Sequence, residues 1–240
     1  MGGERPPPGR TGRLIVRCRV SIFQSMDRVP LFPLGLVLLP RMPLPLHIFE
    51  ERYRVMFDYC IGEEKPFGVV LQTGTTLQEV GCLAQVENVI NRYGDGRLDV
   101  LAVGTERFRV TATHEDKPYL EAEVEIIHDR DPGDRDSINL ASLARSAMDD
   151  LQEFARVAGY TVDTAVIRNL DYEELSFLMA TTDVFSTGEK QELLEMQCTA
   201  TRIKRATQAL GESRKRRAML HRIRKVLDTP EDEDLTHRFN

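Results

Sequence analysis

Between Val29 and Met56 the chain reads VPLFPLGLVLLPRMPLPLHIFEERYRVM, an apolar run cut by Pro30, Pro33, Pro40, Pro43 and Pro45 before it turns charged. Each proline lacks an N–H donor and fixes φ, and the residue before it is pushed towards extended geometry. The pattern predicts a buried, extended ribbon that leads into a helix, and it excludes a membrane helix. Leu46, Phe49, Tyr53, Met56, Phe57 and Cys60 then recur at three- and four-residue spacing, one face of an amphipathic helix. Gly62 is placed to end that helix.

Alternation takes over downstream. Phe67, Val69 and Leu71 alternate with their neighbours, as do Cys82, Ala84 and Val86, then Leu98, Val100 and Ala102, then Phe108, Val110 and Ala112. Tyr93-Gly94-Asp95-Gly96 is a hairpin signal, because Gly and Asp accept the positive φ of tight turns. Leu120, Ala122, Val124 and Ile126 alternate with Glu121, Glu123 and Glu125, predicting a half-buried antiparallel strand whose acids face solvent. Short strands at this spacing suggest a small barrel or sandwich.

Residues 129–136, DRDPGDRD, read as a linker. Helical patterning follows. Leu140, Leu143, Ala147, Leu151 and Phe154 form a stripe. Asp171 with Glu174 and Ser186 with Glu189 have capping-box spacing. The second opens a helix carrying Leu193, Met196, Ala200, Ile203 and Leu210, which Gly211 is expected to break or kink. Met219, Leu220, Ile223, Val226 and Leu227 repeat an apolar face beyond it. The expected organisation is a leader (1–26), a β-rich subdomain (27–128), the linker, a helical subdomain (137–228) and a polar tail (229–240).

The order Leu31-Phe32-Pro33-Leu34, Val37-Leu38-Leu39-Pro40, Leu44-Pro45-Leu46-His47-Ile48-Phe49-Glu50 and Arg52-Tyr53 resembles the start of the Lon-type substrate-binding domain, the N-terminal domain of the ATP-dependent Lon protease. Phe67-Gly68-Val69-Val70, Val80-Gly81-Cys82-Leu83-Ala84 and Gly104-Thr105-Glu106-Arg107-Phe108 continue the resemblance, which covers roughly residues 29 to 210. It implies an α+β chain with an N-terminal PUA-like antiparallel β-barrel portion followed by a C-terminal helical bundle. It further implies recognition of polypeptide, without the ATPase and Ser–Lys peptidase modules that follow this domain in full Lon proteases. The expected partners are unfolded or native protein clients, with a separate protease or chaperone as a further candidate.

Composition narrows this little. With 41% hydrophobic and 29% charged residues the chain reads as soluble and globular, with a cytoplasmic location expected. A net charge of −6 argues mildly against a dedicated nucleic-acid binder. Cys18, Cys60, Cys82 and Cys198 lie far apart with no C-x-x-C pair, so buried free thiols in a reducing compartment are expected. Residues 1–25 hold five arginines against one acid. Such a start can be a transit peptide, but the preferred expectation is that Met26 is the natural start.

No cofactor, metal set or catalytic constellation is expected. A P-loop and a G-x-S-x-G elbow are missing from the sequence. His47 with Glu50 and Glu51 is expected to complement a helix N-terminus rather than to ligate a metal. Two surfaces are candidates. Val37, Leu39, Met42 and Leu44 are the candidate polypeptide-binding residues of the ribbon, although most ribbon leucines are expected in the core. Arg214, Lys215, Arg216 and Arg217 head a basic run, between Arg202 and Lys225, whose single acid is Glu212. That run reads as a solvated face, as a dock for an acidic partner or for the acidic tail, or as phosphate contacts of an RNA-associated PUA-like module. No aromatic residue interleaves it to stack on bases.

Overall fold

The computed structural model describes residues 28–130, 133–159 and 167–227, with no side-chain description for 133–138, 221 and 224–227. The expected leader and the expected tail lie outside these residues. Six strands form the first lobe: β1 (Val29–Leu34), β2 (Pro43–Ile48), β3 (Phe67–Thr73), β4 (Thr76–Arg92), β5 (Leu98–His114) and β6 (Glu121–Ile127). Their order is β2-β5-β4-β3-β1-β6, and pairing of β6 with β5 closes five of them into a barrel. Closure is possible because β4 and β5 are 17 residues long and carry register shifts, such as that between Cys82 and Ala84, which let them bend. The first half of β5 pairs with β2 and its second half with β6. The antiparallel expectation holds for every pairing except β1 with β3, which is parallel. A parallel neighbour needs a crossover, supplied here by β2 and α1 (Glu51–Gly62).

Two of the prolines are placed by this topology, while Pro30 and Pro33 lie on β1 between β3 and β6. Pro43 and Pro45 point outward on β2, which pairs only with β5, so their missing donors fall on an edge. Leu44 and Ile48 point inward, and with Leu31, Phe32, Leu38 and Leu39 they are buried. Phe32 meets the rings of Tyr53, Phe57 and Phe67 edge-on at 4.6, 5.5 and 6.2 Å. The strand runs further than periodicity suggested. Leu46 lies in β2, α1 begins only at Glu51, and Phe49 is 61% exposed instead of on the helix's buried face. The helix does end at Gly62, but the left-handed residue beyond it is Glu64 (φ 50°). On β6 Glu123 and Glu125 are exposed as expected, whereas Glu121 is buried and accepts a 2.9 Å hydrogen bond from Lys117 Nζ.

The second lobe is helical: α2 (Gly133–Ala158), α3 (Tyr172–Ala180), α4 (Thr187–Glu195) and α5 (Thr199–Leu227). Both predicted capping boxes are present, on Asp171 with Glu174 and on Ser186 with Glu189. Leu140, Ala147, Leu151 and Phe154 are the buried stripe of α2. α5 runs through Gly211 without interruption, because packing of Ile203, Ala206 and Leu210 holds the helix across the glycine. Leu39, Val80 and Ile127 of the barrel share one apolar cluster with the helical lobe, so the core crosses the lobe boundary.

Candidate functional site

Among the described residues, an apolar pocket lies between α2 and α3, its α2 side chains nearly buried (Phe154 2%, Ala155 4% and Leu151 5% exposed). Leu151, Phe154 and Ala155 of α2 form one wall and Leu178 of α3 the other. Thr181, Thr182, Asp183 and Lys190 form the polar rim. The volume is about 410 Å³, room for one or two large apolar side chains. Three rim groups are held in place: Thr182 Oγ1 donates to the Met179 carbonyl (2.8 Å), Lys190 Nζ to the Thr181 carbonyl (3.0 Å), and Arg217 Nη2 pairs with Asp183 (2.8 Å). The Arg217 guanidinium also lies 5.3 Å from the centroid of Phe154. An apolar floor with a fixed charged rim can take up an apolar side chain from an extended chain.

Where the lobes meet, a buried ionic hub sets their relation. Asp129, two residues past the end of β6, bonds Arg107 of β5 at 2.5 Å and Arg202 of α5 at 2.6 Å. Both arginines are inaccessible, at 2% and 0% exposure. Arg107 also donates to the Leu194 and Met196 carbonyls (3.0 and 2.7 Å), and Arg202 to Met196 O and Ser176 Oγ (2.7 Å each). Thr199 donates its hydroxyl to Asp129, and the Arg202 guanidinium stacks 4.0 Å from the centroid of Phe177. Burial by itself pushes the Asp129 carboxyl up. Hydrogen bonds from Arg202 and Thr199, with the two guanidinium charges, outweigh it and hold the group below the ordinary carboxylate range. Glu173, 3.3 Å from Arg107, is pushed the other way, first by burial and then by the charge of Asp129.

Beside the hub is a polar cleft of about 170 Å³, lined among others by Arg41, Glu106, His128, Glu173 and Glu174. Arg41 adopts a left-handed backbone (φ 66°) and reaches across the lobes to Glu174 at 3.1 Å. The backbone there is pinned to Gly104 by Arg41 N–H to Gly104 O and Gly104 N–H to Met42 O, both 2.9 Å. A Cβ on Gly104 would stand 2.4 Å from the Leu39 carbonyl oxygen, so glycine is needed for this approach.

The predicted site residues scatter. Leu39 and Leu44 are core residues, and Val37 and Met42 are partly buried against the core. Of the basic candidates, Arg214 pairs with Asp150 (3.3 Å) and Arg217 with Asp183, while Lys215 and Arg216 are exposed. Arg202, counted in the same run, is the buried end of the hub. His47 hydrogen-bonds Asp99 at 2.6 Å instead of engaging Glu50 or Glu51. Among the described residues no cluster of His, Cys, Asp and Glu could hold a metal ion.

A family model for the ATP-dependent protease La (LON) substrate-binding domain matches residues 28–212. This chain belongs to the Lon substrate-binding domain family. Lon protease 2 of Herpetosiphon aurantiacus is 24% identical over 196 residues, 77% of this chain and 24% of that protein. A Lon protease of Koribacter versatilis is 28% identical over 197 residues, with the same coverage. The chain thus spans about a quarter of the curated relatives it matches. The N-terminal domain of the Mycobacterium avium complex Lon protease superposes with a TM-score of 0.64 at 16% identity, covering 77% of this chain and 98% of that one. A Lon N-terminal domain protein from Xanthomonas campestris gives 0.55 at 23%, covering 75% and 96%. The Lon domain match takes in the barrel, the hub and the groove, and it stops before the last four or so turns of α5, which carry Arg214, Lys215, Arg216 and Arg217.

Groove and hub were both missed from sequence. The groove follows from how α2 and α3 cross. The hub carried one signal, Arg107 directly before the buried Phe108 in the Lon-domain motif Gly104-Thr105-Glu106-Arg107-Phe108.

Proposed function

We propose that this Lon-family domain is a non-catalytic polypeptide-recognition module that captures apolar segments in the groove between α2 and α3. The observation that carries this is the apolar floor of Leu151, Phe154, Ala155 and Leu178 inside a rim of fixed polar groups. The family description, a substrate-binding domain, supports the reading. The relatives' printed name, Lon protease, supports protein clients as the ligand class, delivered to a protease. On this reading the charged rim sets which flanking residues are accepted, and the hub fixes the groove relative to the barrel. No helix among the described residues is long and apolar enough to cross a membrane.

A captured leucine or phenylalanine contributes roughly 1.5–3 kcal/mol, about a 10- to 100-fold change in affinity. Thr182→Phe fills the groove from its rim. The expected result, measured by fluorescence anisotropy with a labelled, reduced and carboxymethylated polypeptide, is weakening of that size with an unchanged melting temperature. Unchanged affinity in a folded variant would remove the groove from the account.

A further inference from the structure

The end of α5 is built inside out. Arg214 and Arg217 face inward, to Asp150 of α2 and to Asp183 beside Phe154. The outward face carries Met219, Leu220 and Ile223, all exposed, Met219 by 65%. Arg216 lies within this stripe and Lys215 and Arg222 beside it, at helical spacing. All three bases are exposed and make no ion pair with a described acid. Three large apolar side chains within one and a half turns form a patch rather than scattered surface residues. The family match ends at residue 212, so the shared fold does not account for it.

The chain itself supplies a complementary sequence. Residues 231–235 are Glu-Asp-Glu-Asp-Leu, four consecutive acids and an apolar residue, reached through Pro230, a residue that ends helices. Leu227 to Arg216 is about 16 Å along the helix axis. About five residues of extended chain cover that distance, which brings the acids of 231–234 abreast of Arg216 and Lys215. A second copy of the stripe would instead set bases against bases.

We propose that residues 231–234 of this chain dock back along the outward face of α5, the acids on Lys215 and Arg216, with the chain that leads to them passing beside Arg222 and over Ile223 and Met219. The segment thereby acts as a built-in occupant of a surface suited to acidic polypeptide. Zero-length carbodiimide coupling on the full chain, read by peptide mass mapping, tests this. The expected product is an amide between Lys215 and an acid of 231–234, within the monomer, at a yield independent of protein concentration. Charge reversal in R216E/R222E, which keeps Lys215 and touches exposed residues only, is expected to cut the yield at least fivefold without moving the melting temperature. Absence of the amide, its appearance only in covalent dimers, or a yield untouched by charge reversal would each overturn the proposal.

Discussion

Replacing Asp129 by alanine is expected to cost about 3–5 kcal/mol of folding stability, the range for removing one partner of a buried ion pair. The number rests on what stays behind. Arg107 and Arg202 are inaccessible and neither can give up its proton, so both would remain as buried cations facing each other. Each keeps carbonyl acceptors, Leu194 and Met196 for Arg107 and Met196 for Arg202, which limits the loss to this range. Domains of this kind are stable by roughly 5–15 kcal/mol, so the variant should still fold but with a much lower denaturation midpoint. Asp129→Asn, which keeps the shape and one acceptor, is expected to fall between. The chain has no tryptophan, so urea unfolding is best followed by far-UV circular dichroism and tyrosine emission. Because one apolar cluster joins barrel and helices, both probes should report a single transition in the native protein. A loss below about 1 kcal/mol in Asp129→Ala would refute the view that the hub couples the lobes.

Gly104→Ala is expected to destabilise by about 1–3 kcal/mol in the same assay, because the new Cβ meets the backbone oxygen of Leu39 and no side chain can yield. The pH dependence should carry two opposed contributions. The depressed Asp129 contributes stability that is present above its unfolded pKa and lost as pH falls through its folded value; the raised Glu173 contributes stability that is present at acid pH and lost as pH rises through its folded value. Glu173→Gln should therefore be at least as stable as the native protein at neutral pH and should lose the native gain on mild acidification, as thermal melts would show. Thiol reactivity should be selective: burial pushes Cys60 and Cys82 up to about 12, while a hydrogen bond from the Thr201 hydroxyl lowers Cys198. Mass mapping after brief alkylation should find Cys198 modified and Cys60 and Cys82 untouched until urea is added.

The legible features were those written in local chemistry. Clustered prolines, two of them suited to the edge strand β2, marked the ribbon, alternation marked β3 to β6, and two capping boxes marked α3 and α4. What escaped was decided by distant partners. Phe49 fits a helical period, but pairing of β2 with β5 keeps the chain extended through Ile48 and leaves the ring outside. Gly211 looks like a breaker, yet Leu210 and its neighbours are packed too well for the helix to stop. Asp129 sits in a polar, linker-like run, and Arg202 opens a basic run. Nothing in either neighbourhood distinguishes a buried charge from a solvated one, since the partners lie 73 residues apart. Most ribbon leucines were apolar for the ordinary reason: Leu31, Leu38, Leu39 and Leu44 are core, whereas Leu36 is exposed.

On the proposed function, the helical lobe captures polypeptide. A photo-crosslinker placed on an apolar residue of an unfolded polypeptide, mixed with the full chain and mapped by mass spectrometry, tests it most directly. Labels should fall on residues 151–155 and 178–183 and should vanish in Thr182→Phe. Labels confined to residues 37–48 of the ribbon, or none on α2 and α3, would contradict the account.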